Sequence, residues 1–94
     1  MRRRLIISRH AADEMRKDGI RLADVKLVME HEQVIETYSD DVPYPSRLVL
    51  GWPRRKAVHI VAADIPSSHE TVIITVYRPD PLLWEHGFRR RKRQ

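Results

Sequence analysis

The stretch Glu70–Pro81, ETVIITVYRPDP, limits what this chain can fold into more than any other segment. Val72, Ile74 and Val76 alternate with Ile73, Thr75 and Tyr77, the two-residue period of a strand, and most of these residues are β-branched. One side is wholly apolar and needs a core to cover it. The other carries a hydroxyl and a phenol, then meets Arg78 and the Pro79-Asp80-Pro81 stop. A strand of this kind belongs in a sheet with one buried face, and its polar side is a natural place for a site.

The chain is 94 residues long with no cysteine. A domain this small buries about two-thirds of its unfolded surface, so one sheet-and-helix core is expected over residues 1–94. Neither disulfides nor thiolate zinc sites are available to staple it. His10, His31, His59, His69 and His86 lack the close pairing of metal motifs, so no structural metal or cofactor is called for. The opening MRRRLIIS has only Leu5, Ile6 and Ile7 as its apolar run, short of the roughly 7–15 residues of an export signal or the ~20 of a membrane span. A cytoplasmic protein without a membrane partner is expected.

The formal charge of +5 is unevenly spread. Eight cations lie at the ends: Arg2, Arg3, Arg4, Arg89, Arg90, Arg91, Lys92 and Arg93. The body from Leu5 to Phe88 holds ten of the 18 Lys and Arg and all 13 acids, a net charge of −3. Basic ends 1–4 and 89–94, outside a core of about 5–88, read as disordered solvated tails or as arms attracted to nucleic acid.

Arg4–Ser8 reads as a first strand. Ser8 then caps a helix from Arg9 to about Asp18, with Gly19 after its end and Ile20 folded back onto it. A second helix from Leu22 to about His31 has Leu22, Val25, Val28 and Met29 as its inward stripe. Gln33–Tyr38 alternates weakly as a strand, and Ser39–Ser46, with Pro43 and Pro45, reads as a loop. Strands follow at Arg47–Trp52, Ala57–Asp64 and Thr71–Arg78. Asp80, with Pro81 at the first helical position, predicts a short last helix carrying Leu82, Leu83 and Trp84.

The two-residue period assigns faces. Leu48, Leu50, Trp52, Val58, Ile60, Ala62, Val72, Ile74 and Val76 form the apolar layer for the helices. Arg47, Val49, Gly51, His59, Val61, Ile73, Thr75 and Tyr77 form the uncovered side. Pairing Gly51 with His59 and His59 with Thr75 keeps the layers separate. His59 then stands beside Thr75 and diagonal to Tyr77, with Arg55, Lys56 and Arg78 at the same end. Arg47 falls about 13 Å along the strand.

Histidine, phenol and guanidinium together suit metal-free RNA cleavage, which needs a base for the ribose 2′-hydroxyl, a cation for the phosphate and an acid for the leaving oxygen. Histidine serves either proton role, arginine's fork matches phosphate oxygens, and Tyr77 donates a proton or stacks on a base. Each residue also has a plainer role. A lone strand histidine such as His59 is more often a half-buried, bonded residue than a catalyst, and His10 is equally a helix-start packing residue. Tyr77 is equally a core-edge aromatic, Arg54-Arg55-Lys56 a solvated turn, and Arg47 a partner of Asp40 or Asp41.

The succession Ser8-Arg9-His10-Ala11, Met15, Gly19-Ile20, Tyr44-Pro45-Ser46-Arg47, Val58-His59-Ile60-Val61 and Thr75-Val76-Tyr77, with Pro79 and Trp84, resembles the bacterial "domain of unknown function" family four-two-five-eight. The resemblance covers roughly Ser8 to Phe88. It implies a small α+β domain of RelE/BrnT-like type, related to the RelE, BrnT and MqsR toxins. In such a domain two N-terminal helices pack on one face of a mainly antiparallel sheet, with a short C-terminal helix. The implied activity is endoribonuclease action on messenger RNA, in places ribosome-bound. The implied partner is a cognate antitoxin of zinc-finger, helix-turn-helix type. The matching positions are His10, Arg47, His59, Thr75 and Tyr77. The family pattern often has arginine where this chain has Glu14 and Asp18, two cations exchanged for two acids.

Three functions compete. The first is a metal-independent endoribonuclease toxin using His10, His59, Tyr77 and Arg47. In it Arg54, Arg55, Lys56, Thr75, Arg78 and the basic C-terminal tail hold RNA. The second is a non-catalytic module binding RNA or protein on the same face. The third is an antitoxin-dependent repressor component whose exposed Val49, Val61 and Ile73 form the contact.

Overall fold

The computed structural model describes residues 3–93. Met1, Arg2 and Gln94, and with them part of the basic ends, lie outside that range. The element order is β1 (Arg4–Ile7), α1 (Arg9–Asp18), α2 (Leu22–Glu30), β2 (Gln33–Tyr38), β3 (Ser46–Gly51), a 3-10 turn (Pro53–Arg55), β4 (Val58–Ile65) and β5 (Glu70–Tyr77). The strands form one sheet in the order β1-β5-β4-β3-β2. β1 runs parallel to β5, and the other pairs are antiparallel.

Local chemistry explains the helices. The Ser8 hydroxyl accepts from the Ala11 amide at 3.0 Å and so starts α1. Gly19, at φ 66°, ends it in the left-handed conformation that glycine adopts without steric cost. At α2 the Arg21 amide donates to Asp24 Oδ2 at 2.9 Å. Ala11, Met15, Ile20, Val25 and Val28 then pack on Val49, Val58, Ile60, Ala62, Ile73 and Val76. Leu22, expected in the inward stripe, is exposed.

The sheet register corrects the expected faces. Leu50 pairs with His59, and His59 with Tyr77, so β3 is one residue out from the Gly51–His59 pairing. Val49 and Gly51 face the helices, while Leu48 and Leu50 share the side of His59. In β5 a bulge lies where Val61 pairs with Thr75 and Ala62 with Ile73. The extra residue flips the alternation, so Ile73 joins Val76 in the core and Ile74 turns outward. Val49 and Ile73 are therefore buried rather than available for a partner. Gly51 shows why β3 has this parity. A methyl group there would fall 2.5 Å from Val28 Cγ2, so only glycine lets α2 approach so closely.

β5 has its outer edge closed in two ways. β1 pairs with Glu70–Ile73. Beyond that, the Ser8 hydroxyl donates to the Ile74 carbonyl at 2.9 Å, and Glu14 Oε1 accepts from the Val76 amide at 3.1 Å. Asp18 Oδ2 accepts from the Arg78 amide at 3.4 Å. Glu14 and Asp18 thus satisfy amides in β5 and just beyond its end that β1 is too short to reach.

No C-terminal helix forms. Asp80 makes a turn instead: its carboxylate accepts from the Leu82 amide at 2.8 Å, and its carbonyl from Leu83 and Trp84. The chain then doubles back, with Glu85 N donating to Arg90 O at 2.8 Å and Lys92 N to Leu83 O at 2.9 Å. Residues 80–93 form a strap over the second face of the sheet. The described parts of both basic ends are accordingly tied down. Arg3 bonds the carbonyls of Ile65 and Glu70 and the Thr71 hydroxyl, and Arg4 bonds the Glu70 carboxylate. Among the described residues, no helix is long and apolar enough to cross a membrane.

Gly51→Ala should force α2 off the sheet and cost about 1–3 kcal/mol, because Val28 is β-branched and close-packed. Urea titration measures this, and unchanged stability would show that α2 is free to shift.

Candidate functional site

The second face of the sheet gathers the chemistry. Leu50, His59 and Tyr77 form one cross-strand row, and Glu36, Leu48, Val61 and Thr75 the next. His59 is fully buried. Its Nε2 lies 2.8 Å from the Phe88 carbonyl, which only accepts, so Nε2 carries the proton. Nδ1 is then the acceptor facing the Tyr77 hydroxyl at 3.2 Å. The imidazole also meets Trp84 edge to face, with ring centroids 4.5 Å apart, and Tyr77 at 5.3 Å. Burial pushes the His59 pKa below its ordinary value, with Arg91 adding to the effect and Glu36 opposing it. The ring is neutral near pH 7.

Arg91 extends the cluster toward solvent. Its guanidinium stacks 4.6 Å from the centre of the Trp84 ring and grips Glu36 with two nitrogens, at 3.0 and 3.2 Å. Tyr38 donates to the same carboxylate at 2.6 Å. Burial is the largest influence on Glu36 and pushes its pKa up, but the hydrogen bonds from Arg91 and Tyr38 outweigh it and hold the carboxyl low. Burial, reinforced by the bond to Glu36, pushes the Tyr38 phenol up to about 12. Burial likewise raises Tyr77. At neutral pH the face therefore presents a carboxylate, a guanidinium and two protonated phenols. A buried histidine supports them from behind.

The residues expected to form the site are divided by this fold. His59 and Tyr77 are in contact, and Thr75 is in the neighbouring row on the same face. His59 is sealed under the strap, so the uncovered histidine expected from strand alternation is corrected. Arg47 belongs to the opposite face, where it bonds Glu32 at 2.5 Å and Asp64 at 3.3 Å. His10 stands exposed on α1, with Nε2 3.1 Å from Glu14 Oε1. Arg54 is drawn onto Asp24 at 2.6 Å, and that bond is the main cause of the lowered Asp24 pKa. Arg78 donates to the Asp18 carbonyl at 3.2 Å. Arg55 and Lys56 are exposed.

Glu36, Tyr38 and Trp84 were not anticipated as site residues, and Arg91 was expected only as one cation of the basic tail. The i, i+2 spacing of Glu36 and Tyr38 on a strand was the available signal for the first two. Nothing local separates Arg91 from the arginines around it.

The family model described as "Domain of unknown function (DUF4258)" matches residues 7–78. No curated protein and no solved structure matches the chain.

The depressed His59 pKa sets a pH dependence. The unfolded chain takes up a proton near the ordinary histidine value of 6.5, which the folded chain resists. Stability is therefore complete above that pH and declines as pH falls. His59→Gln keeps a hydrogen-bonding side chain without titration. It should lower stability at neutral pH yet flatten the profile between about pH 5 and 7. Urea midpoints across that range provide the check, and a parallel profile in the variant would reject His59 as the source.

Proposed function

The chain belongs to the family described as Domain of unknown function (DUF4258), and from the geometry of its second sheet face we propose that it is a metal-independent endoribonuclease. The observation that carries the reading is the meeting of Glu36, Arg91 and the phenols of Tyr38 and Tyr77 on one face. The excess of positive charge supports it, since RNA phosphates attract such a protein regardless of sequence.

The chemistry follows from an exchange of partners. A phosphate that takes the Arg91 guanidinium removes the strongest constraint on Glu36. Burial then raises the Glu36 pKa and makes it a better base. Glu36 accepts the 2′-hydroxyl proton as the 2′-oxygen bonds to phosphorus. Arg91 offsets the charge that builds on the phosphate oxygens. The bond to the 5′-oxygen breaks, and Tyr77 or Tyr38 protonates that oxygen. A 2′,3′-cyclic phosphate and a 5′-hydroxyl result. His59 acts as a positioning residue for Tyr77. Arg55 and Lys56 hold the backbone. The kinship with the RelE, BrnT and MqsR toxins that the family resemblance implies would make it a toxin of a type II toxin–antitoxin pair acting on messenger RNA. Its antitoxin would be a small zinc-finger, helix-turn-helix protein.

A second reading, a non-catalytic RNA-binding or protein-binding module, is favoured by one specific observation. Arg47, Arg54 and Arg78, the cations expected to meet phosphate, are bonded within the fold.

Purified chain should cleave RNA in EDTA. Glu36→Gln should lower the rate by about 10²-fold or more with RNA affinity held within about threefold. RNA left intact under every condition, ribosomes included, would overturn the nuclease. Loss of affinity in place of rate would favour the binding module.

A further inference from the structure

We propose that Trp52 is a stacking platform for an unpaired RNA base, with Arg55, Lys56 and Arg90 taking the adjoining phosphates. The inference rests on the RNA-binding part of the reading above but involves residues that take no part in the cleavage chemistry.

Strand alternation would place Trp52 in the apolar layer. β3 instead ends at Gly51, and Trp52 leaves the sheet with 48% of its surface exposed. Its one ring neighbour among the described residues is Phe88, 5.8 Å away and tilted by 51°. That contact anchors the indole without covering it. Phe88 is itself fixed, because its carbonyl accepts the His59 Nε2 proton at 2.8 Å. Trp52 thus packs on a residue whose backbone is held to the sheet, which lowers the entropy cost of holding an aromatic ring ready for a ligand.

The charges around the ring are arranged by an unusual turn. Pro53 is buried, and Arg54 and Arg55 both adopt left-handed conformations, at φ 54° and 66°. This turn brings Arg54 onto Asp24, while Arg55 and Lys56 extend into solvent. Among the described residues, the side chains of Arg55, Lys56 and Arg90 have no hydrogen bond or ion pair. The Trp52–Phe88 contact joins the segment that runs on into Arg55 and Lys56 to the one that runs on into Arg90. An exposed indole with unpaired cations a few residues away in both segments that meet at its contact with Phe88 matches an alternation of flat base and charged phosphate. Stacking on an aromatic ring is sequence-tolerant and requires a base with a free face, which single strands supply and duplexes do not.

The test titrates the full chain with single-stranded oligouridylate and oligoadenylate, a duplex of equal length, and polyglutamate, at two salt concentrations. Single strands should quench the fluorescence of the exposed tryptophan, and the duplex should bind more weakly. Trp52→Ala should weaken single-strand binding about tenfold or more, while Trp52→Phe, which keeps a stacking ring, stays within about threefold. Lys56→Ala should reduce the salt slope by about one. Wild-type affinity in Trp52→Ala, or equal affinity for duplex, would overturn the platform and leave RNA binding intact. Binding of polyglutamate with no RNA binding at all would overturn both and assign the surface to an acidic protein partner.

Discussion

The buried bond between His59 and the Phe88 carbonyl is the interaction on which the second face of this protein depends. Leu48, Leu50 and His59 on the second face are buried, and this short chain has helices for the opposite face only. The strap 80–93 supplies the other cover, and His59 is where it is anchored in the sheet. The imidazole faces the strap carbonyl through one nitrogen and the Tyr77 hydroxyl through the other. Trp84 and Arg91 are set in place by the same arrangement, and Arg91 in turn reaches Glu36. A histidine neutral at ordinary pH suits this task, because both of its nitrogens are used without a buried charge.

The acids of α1 illustrate how composition misleads when read without geometry. In sequence, Glu14 and Asp18 look like acids exchanged for the arginines that the resemblance implies at these positions, and so like lost phosphate ligands. In the fold they close the edge of β5 beyond the end of β1. A four-residue β1 cannot pair along all of an eight-residue β5, and the helix that follows it provides acceptors for the remaining amides. The same economy appears at Arg3, which spans the carbonyls on both sides of the β4–β5 turn.

Most of the architecture was legible in the residues. Ser8 and Gly19 bounded α1, the strand segments fell within a residue of their expected limits, and the loop between β2 and β3 followed its prolines. Besides the strap that replaces the expected last helix, two features were not legible, for physical reasons. Leu48, Val49 and Leu50 are all buried, so β3 has no polar–apolar alternation to set its parity; Gly51 and Val28 decide it through contact across the fold. The bulge in β5 has no local signature, and it exchanges Ile73 for Ile74 in the core. Of the site, the His59–Tyr77 contact was recoverable from side assignment, even though the register was shifted. Arg91 was not, because its role depends on a strap whose path is set by Trp84 and His59 and not by its own neighbours.

The parallel pairing of β1 with β5 has a consequence for how the molecule comes into being. As the chain emerges from the ribosome, Arg4–Ile7 waits for Glu70–Ile73 to be synthesised, and closing so long a loop is slow compared with forming hairpins. During that interval α1 has no strand edge to dock against and the apolar stripe of the nascent helices is bare. Until that pairing forms, the nascent helices expose apolar surface of the kind that chaperones bind.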